Sequence, residues 1–477
     1  MRPAKERLEI VKRMKQLTEN KMALFNIAST AIVAGINFFT IPVFTRMLDT
    51  AGYGVVNIYV AWVQIFTVLV GLKADGSVAS AKANLPEEEQ DSYHLSILVM
   101  STLFFVAIFA GCMLFLGPLS VALSMDSGLV VCMLVQSFGA FVISLFNVRF
   151  IFRKQAQLNF AVSVGLCVAT TALSIVLIFA VFTGNDAYWG RVVGLVVPNA
   201  LLALGLYVYL AASGRGKVKV GYWRFCLALT LPLIFHGLSQ LLLAQTGKIA
   251  MQQFWGDSAA GVYSIAVVIV TLMAAIYNAL NNAFVPFMYD DLAGKTGEGV
   301  KQRHFRNYMT MFTLGSCAFA LLSPEILKLM STDAYWGSIP TLPMLVIGQY
   351  CVFLYSFSVN YEFYRMKTKS VALGTILAAA LNIALCLALV PTLGMMGAAA
   401  ATMAAYIGLF LFHLLIARYR LGDRNYPVWA YFAGLGAVAA ACLLCYPLAD
   451  AWILRDALGA LLLVVAVVRM VSERAIF

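Results

Sequence analysis

The sequence predicts an all-α integral membrane protein of about fourteen transmembrane helices: two parallel six-helix repeats forming a bilobed bundle, followed by two C-terminal helices. Three observations support this fold class. Hydrophobic residues make up 62% of the 477 residues and charged residues only 12%, against roughly 45–50% and 25% in soluble domains. Long apolar runs recur along the whole chain, and basic residues fall between them in a regular pattern.

The apolar runs supply the predicted spans, because a hydrocarbon core of about 30 Å takes roughly 20 helical residues. They lack the period-two alternation of an outer-membrane barrel. The last run is interrupted by Arg455 and Asp456. The fourteen runs are residues 22–44, 55–71, 95–116, 128–146, 158–182, 192–212, 225–244, 261–282, 308–322, 342–363, 370–390, 397–417, 428–448 and 452–470.

Basic residues predict the orientation. If the N-terminus is cytoplasmic, 28 of the 33 Lys and Arg residues fall in inner segments, in agreement with the positive-inside rule. A missed or invented helix would invert every later loop, so this regularity also supports the number of spans. We therefore expect both termini in the cytoplasm. The five outer basic residues are Arg46, Arg191, Lys248, Lys328 and Arg455.

Residues 1–21 are too charged, and the run after them is too long, for a cleavable signal peptide. We interpret them as a basic cytoplasmic arm that forms a helix on the anionic inner leaflet. The remaining predicted domains are an N-lobe (22–212), a cytoplasmic linker (213–224), a C-lobe (225–417), and two added helices with a tail (418–477).

An internal repeat supports the two lobes. Gly54-Val55-Val56-Asn57-Ile58 resembles Gly261-Val262-Tyr263-Ser264-Ile265 at an offset of 207, which Gly190 and Gly397 share. Asn147-Val148-Arg149-Phe150 matches Asn360-Tyr361-Glu362-Phe363 at an offset of 213. Matches in the same order predict two copies of one unit. Because each copy has six spans, both enter the membrane from the same side, which places a binding site between two lobes near the midplane.

The sequence carries no motif of a common hydrolase, ATPase or dinucleotide-binding enzyme. We expect neither enzymatic activity nor a cofactor or metal. The nine cysteines lie in apolar runs, and the Cys442–Cys445 spacing lacks a second ligand pair, so packing is the better interpretation. The net charge of +11 reflects membrane topology, and no nucleic-acid partner is expected.

Basic side chains near the predicted lobe interface are the first candidate binding residues. Arg46 ends span 1, and Lys248 lies beyond span 7, in the predicted outer loop. Both depart from the positive-inside trend, so they would attract an anionic substrate; the alternative is that they snorkel to the headgroups. Arg149 ends span 4 and is a third candidate.

Amide and gating residues complete the prediction. Asn278, Asn281 and Asn282 end span 8 and would line a hydrated cavity or hydrogen-bond between helices. Arg149 and Glu362 occupy equivalent places, and their opposite charges suggest a latch between the lobes. Pro232 removes a backbone donor from span 7 and predicts a bend there.

The two lobe starts resemble Wzx-type polysaccharide flippases of the multidrug/oligosaccharidyl-lipid/polysaccharide superfamily. The similar residues are Gly35-Ile36-Asn37-Phe38-Phe39-Thr40-Ile41-Pro42-Val43-Phe44-Thr45-Arg46-Met47-Leu48 and Gly52-Tyr53-Gly54, then Leu231-Pro232-Leu233-Ile234 and Gly261-Val262-Tyr263-Ser264. Family members often have an acidic residue just before the basic one that follows span 7. Here Thr246-Gly247 precede Lys248, so no local ion pair is expected.

The resemblance implies movement of undecaprenyl-diphosphate-linked oligosaccharide from the inner to the outer leaflet of the bacterial inner membrane, for O-antigen, capsule or exopolysaccharide. It implies lipid-linked oligosaccharide and membrane lipids as partners, with a polysaccharide polymerase and glycosyltransferases in the same pathway. A multidrug antiporter on the same fold is the first alternative, disfavoured because the predicted spans hold few acidic residues. A non-transporting scaffold for envelope assembly is the second.

Overall fold

The computed structural model describes residues 4–213 and 216–472, and all regular secondary structure in them is helical. The side chains of the basic arm, residues 214–215 of the linker and residues 473–477 of the tail lie outside the described part. The α-helices are α1 (Ala4–Met47), α2 (Thr50–Gly71), α3 (Val78–Asn84), α4 (Gln90–Leu114), α5 (Leu116–Leu123), α6 (Ser127–Phe152), α7 (Ala156–Ala180), α8 (Ala187–Ala212), α9 (Gly221–Leu292), α10 (Glu298–Met330), α11 (Leu342–Tyr364), α12 (Thr368–Leu415), α13 (Val428–Leu444) and α14 (Trp452–Ser472).

Ten helices of the described chain are long and apolar enough to cross a membrane. Two of them, α9 with 72 residues and α12 with 48, each consist of two helices joined at a single non-helical residue. A straight helix of this length would measure about 108 Å for α9, more than three times the hydrocarbon core. Each therefore supplies two spans.

The two breaks occur at glycines. Gly256 has φ 81° and ψ 179°, and Gly394 has φ 56° and ψ −131°. Residues with a Cβ are disfavoured in these conformations, whereas glycine adopts them freely. The break at Gly394 agrees with the predicted boundary between spans 11 and 12. The break at Gly256 corrects the predicted outer loop at residues 245–260, which is helical on both sides of this residue.

The shorter helices α13 and α14 complete fourteen spans and confirm the predicted fold class. Arg455 does not interrupt α14: it is 2% exposed, and its guanidinium binds Glu325 of α10 at 2.5 Å and Asp456 at 3.3 Å. The charge that weakened the apolar run is thus neutralised inside the protein rather than exposed to lipid.

Contacts divide the chain into two compact units. The first comprises the chain up to Leu48 together with Tyr59–Gly237, and the second comprises Asp49–Ile58 together with the chain from Leu238 onward. The boundary falls inside α9, just after Gly237, rather than within the predicted linker. The predicted lobe boundaries stay a prediction.

The core of the first unit packs the start of α4 and the end of α6 against the start of α9. Tyr93, Ile97 and Phe146 are completely buried there, and Cys226 joins them. The linker lies against this core: the amides of Lys217 and Lys219 donate to the hydroxyls of Ser92 and Ser96 at 3.1 and 2.9 Å. The linker is therefore fixed to the first unit by backbone hydrogen bonds.

The second unit has an aromatic core at the start of α10 and the end of α11. Its rings stack, tilt or meet edge to face, with centroids 4.3 to 5.6 Å apart in five of the pairs. Offset and edge contacts of this kind stabilise beyond area burial alone. The principal members are Phe284, Tyr308, Phe312, Phe353, Phe357 and Tyr431.

A close helix crossing in the second unit joins the start of α2 to the start of the second half of α9. A Cβ on Gly54 would lie 1.9 Å from the carbonyl oxygen of Asp257, and one on Gly261 would lie 1.9 Å from that of Thr50. The hydroxyls of Thr50 and Ser258 are 2.7 Å apart. Gly54 and Gly261 are the repeat-related pair, so the crossing is nearly symmetric, with small residues allowing the backbones to touch.

Candidate functional site

Lys248 lies within the first half of α9, two turns before Gly256, and not in a loop as predicted. It is only 8% exposed. Gln245 and Gln252, also buried, lie three residues before it and four after it, which places all three on one helix face. These polar residues lowered the local hydropathy, so the predicted span ended at residue 244 although the helix continues.

The Lys248 ammonium has no hydrogen-bond or ion-pair partner among the residues that the structure describes. A buried, uncompensated charge costs several kcal/mol. Intramembrane ionisable residues of this kind usually mark a path or site for a ligand. Lys248 is therefore the strongest candidate binding residue in the second unit.

Arg149 lies near the end of α6 and is 5% exposed. Its guanidinium donates to Asp91 Oδ1 at 2.7 Å, and Arg153 donates to the same oxygen at 2.7 Å. The Phe146 ring lies 5.6 Å from the Arg149 guanidinium carbon. Arg149 is thus an anchor between α6 and α4 in this conformation, and the sequence prediction missed Asp91, its partner.

Arg46 occupies the last turn of α1 and is exposed. Its guanidinium donates to the carbonyl oxygen of Pro42 at 2.9 Å, one turn earlier. This bond holds the side chain along its own helix and covers a carbonyl near the C-terminal end of α1, where cations interact favourably with the helix dipole.

The three asparagines lie on the second half of α9, which continues past them to Leu292. They therefore lie inside the helix, which extends beyond the predicted end of span 8. Asn281 accepts a hydrogen bond from Asn360 of α11 at 3.1 Å, whereas Asn278 and Asn282 are exposed one turn apart. One amide thus joins two helices, and two amides present donors and acceptors at the surface of the unit.

Glu362 and His413 form a completely buried pair, each with 0% side-chain exposure and 2.7 Å between Oε1 and Nδ1. Ser370 donates to the other carboxylate oxygen. Through His413 and Ser370, Glu362 joins the end of α11 to both ends of α12. His413 was not predicted as a partner, because 51 residues separate it from Glu362.

Buried carboxylates are more frequent than the sequence analysis expected. Among the described residues, four are at most 9% exposed: Asp75, Asp291, Glu362 and Asp423. Asp75 accepts from Ser144 at 2.8 Å, and Asp291 lies 3.0 Å from His304 Nδ1. Acidic residues are few in the predicted spans, as expected. Asp75, Asp291 and Asp423 lie outside those spans, where hydropathy assigns loops, and tertiary packing buries them nonetheless.

The predicted residues are distributed over both units. Arg46, Arg149 and Pro232 belong to the first, and Lys248, the asparagines and Glu362 belong to the second. The backbone keeps helical angles through Pro232, and the non-helical residue of α9 is Gly256 instead.

Metal ligands do not cluster in the described part of the chain: no group of three or more His, Cys, Asp or Glu side chains is placed to hold an ion. All nine cysteines are free thiols, and six of them are buried, including Cys442 and Cys445. Cys445 donates to the carbonyl oxygen of Ala320 at 3.3 Å, a packing role for a small, weakly polar side chain.

Solved structures share this fold. The chain superposes on the lipid II flippase MurJ in an inward closed conformation with a TM-score of 0.70 and 12% identity, covering 95% of this chain and 99% of that one. An inward-facing multidrug resistance MATE family transporter gives a TM-score of 0.61 and 15% identity, covering 84% of this chain and 99% of that one. The MATE multidrug transporter DinF-BH gives a TM-score of 0.61 and 17% identity, covering 87% of this chain and 96% of that one.

Two proteins of Haemophilus influenzae are similar in sequence. One is described as an uncharacterized membrane protein, 22% identical over 367 residues that span 72% of this chain and 83% of that protein. The other is Lsg locus putative protein 1, which is 21% identical over 364 residues that span 74% of this chain and 86% of that protein. The family model described as "Polysaccharide biosynthesis protein" matches residues 21–290. This match confirms the resemblance found in the sequence, and the chain belongs to that family of multi-pass membrane proteins.

Proposed function

We propose that the protein is a flippase for undecaprenyl-diphosphate-linked oligosaccharide, moving these units from the inner to the outer leaflet of the bacterial inner membrane by alternating access of its two lobes. The product would supply surface polysaccharide such as O-antigen, capsule or exopolysaccharide. Both termini would be cytoplasmic, and the polymerase and glycosyltransferases of the pathway would be functional partners.

The observation that carries the proposal is the buried Lys248, which has no partner among the described residues. A diphosphate would supply the missing counter-charge, and charge-assisted hydrogen bonds between an ammonium and phosphate oxygens are among the stronger ones. The same lysine disfavours organic cations, since like charges 4 Å apart repel by about 4 kcal/mol at an effective dielectric constant near 20.

The multidrug-antiporter alternative would use buried carboxylates, and the second unit contains several. Asp291 faces His304, and Glu362 faces His413. Because both already have an imidazole partner, and the third, Asp423, accepts from the Asn425 side-chain amide at 2.7 Å, a cationic substrate would have to displace these groups. Lys248 has no such competitor in the described part of the chain, so the balance of buried charge favours an anionic substrate.

The other predicted residues enter the proposal in secondary roles. Asn278 and Asn282 would bind sugar hydroxyls, with Asn281 held by Asn360. Arg46 would attract the diphosphate at the outer end of α1, and Arg149 would contribute only after leaving Asp91. Pro232 lies five residues before the boundary between the units, where its missing backbone donor would ease bending of α9 during the cycle.

The test is transport in proteoliposomes that contain a fluorescent undecaprenyl-diphosphate oligosaccharide, whose arrival in the second leaflet is measured by loss of fluorescence to a membrane-impermeant quencher. We expect Lys248→Met to slow transport at least tenfold and Lys248→Arg to retain part of the rate. The matched control is Lys328→Met, because Lys328 is another of the five predicted outer cations and already pairs with Glu325. We expect this control to change the rate little.

The alternatives give different results in the same vesicles. An antiporter would carry a cationic dye and leave the lipid-linked glycan in place. A scaffold would move neither compound. Either outcome for the unaltered protein, or equal transport by Lys248→Met and the control, would overturn the proposal.

A further inference from the structure

A cleft of about 440 Å³ lies between α10 and α13 in the second unit. Its walls come from one stripe of each helix. Small residues on α13, Ala430, Ala433, Gly434 and Ala437, follow the i, i+3, i+4, i+7 spacing of one helix face. Phe305, Arg306, Met309, Thr310, Thr313 and Leu314 line the α10 side.

Gly434 sets the depth of this cleft. A Cβ there would lie 2.3 Å from the Tyr350 hydroxyl and 3.2 Å from the terminal methyl of Met309. The Tyr350 hydroxyl is itself fixed by Thr313 at 2.7 Å. The floor of the cleft is therefore closely packed, and its open part lies further out between the two helices.

The cleft is polar at one end and apolar at the other. Gln302, Arg306 and Trp429 lie in the first three turns of α10 and α13, and a hydrogen bond from the Gln302 amide to the carbonyl oxygen of Asn425 at 3.0 Å joins the starts of these helices. Leu314 and Ala437 line the opposite end. The eight-residue step from Arg306 to Leu314 corresponds to about 12 Å of helix, close to the roughly 15 Å hydrocarbon depth of one leaflet. In depth and polarity the cleft thus matches a single phospholipid molecule in one leaflet of the membrane.

The charge at the polar end favours an anion. Arg306 is exposed, and no carboxylate of the described residues pairs with it, whereas nearby Lys301 is bound to Glu298 at 2.7 Å. Trp429 is 72% exposed at the rim, as is typical of indoles at the headgroup level. Basic pockets between transmembrane helices bind anionic headgroups.

We propose that this cleft is a binding site for an anionic phospholipid, with its phosphate on Arg306 and an acyl chain along Ala433, Ala437 and Leu314. Such a lipid would fill the gap between the six-helix repeat and the added helix α13, and so would stabilise α13 on the second unit. The site is independent of what the protein transports.

Native mass spectrometry tests the site on the full-length protein, purified in detergent and mixed with phosphatidylglycerol or phosphatidylethanolamine. We expect the unaltered protein to retain phosphatidylglycerol in preference, and Arg306→Ala to reduce the bound fraction at least fivefold. Ala433→Leu with Ala437→Leu fills the cleft and should reduce it similarly. Arg303→Ala is the matched control, because Arg303 is exposed three residues earlier but does not line the cleft.

Equal retention by Arg306→Ala and Arg303→Ala would overturn the proposal, because the cation would then act only through general surface charge. Equal binding of the two phospholipids by the unaltered protein would also overturn it. A filled-cleft variant that binds normally would show that the lipid is held elsewhere. Measuring melting temperature on each variant separates lost binding from lost folding.

Discussion

Some positions that correspond between the two repeats hold the same residue, and others hold residues of opposite charge. Gly54 and Gly261 are the same residue and make the same contact, each admitting a backbone carbonyl where a Cβ would lie 1.9 Å away. Arg149 and Glu362 are opposite in charge, and each has its own partner: Asp91 in the first unit and His413 in the second. The two repeats thus share the close backbone contact. At the buried charged position they share only the place in the helix, and the sign of the charge differs.

The predicted latch between Arg149 and Glu362 would have to compete with these two pairs. Each charged side chain already has a hydrogen-bonded partner inside its own unit, so neither requires the other. The chemistry of the two partners differs as well. Arginine carries a permanent charge and presents several donors, whereas the imidazole of His413 meets Glu362 through one ring nitrogen, Nδ1. The first pair is a fixed ion pair in which two guanidiniums share one carboxylate oxygen, and the second is a single carboxylate–imidazole contact.

The largest expected effect comes from the glycine crossing. Gly54→Ala places a methyl group 1.9 Å from the Asp257 carbonyl oxygen, so α2 and α9 must separate. We expect the variant to lose most of its transport activity and more than about 3 kcal/mol of unfolding free energy, as for other large steric changes. Gly35→Ala is the control, since a Cβ at Gly35 meets nothing within 4 Å. Transport assays and reversible denaturation in detergent measure these two losses for each variant. Equal behaviour of the two variants would mean that the crossing is not close-packed.

The second effect is on the fixed ion pair. Asp91→Asn leaves the guanidiniums of Arg149 and Arg153 close together without a carboxylate, and breaking a buried pair in this way costs about 3 kcal/mol. The free energy of unfolding in detergent gives the measurement. Glu87→Gln is the control, because the Glu87 side chain is 90% exposed. A loss below about 1 kcal/mol would show that water already compensates the arginines.

A smaller effect is expected for the Glu362–His413 pair. Glu362→Gln keeps a hydrogen-bonding group of the same size for Ser370 and His413, so the loss should be about 1 kcal/mol, the value of one ordinary hydrogen bond. The same denaturation experiment applies. If Glu362→Gln cost as much as Asp91→Asn, the contrast between the fixed ion pair and the carboxylate–imidazole contact would be incorrect.

The smallest effect should come from Arg153→Gln. The Arg153 side chain is 27% exposed, and Asp91 keeps Arg149 at 2.7 Å after the substitution. Partly exposed ion pairs contribute about 1 kcal/mol or less. A loss as large as that of Asp91→Asn would instead assign the anchoring role to Arg153.

Hydropathy and charge were sufficient to predict fourteen spans and the repeat, because lipid selects apolar residues on every outward helix face. They failed where polar residues are buried by protein. Gln245, Lys248 and Gln252 lowered the local hydropathy and ended span 7 too early, although the helix continues to Gly256. Asp91 and His413 could not be predicted as partners, because their contacts join segments 58 and 51 residues apart.

The reversals at Gly256 and Gly394 have a practical consequence for labelling. A chain that turns within one residue offers no exposed stretch in which an epitope, a protease site or a reporter protein would be tolerated. Insertions there would displace two whole helices rather than lengthen a loop. Accessibility mapping of that face of the second unit is therefore best done at Asp333 or Trp336, which lie in a separate short 3₁₀ segment before α11.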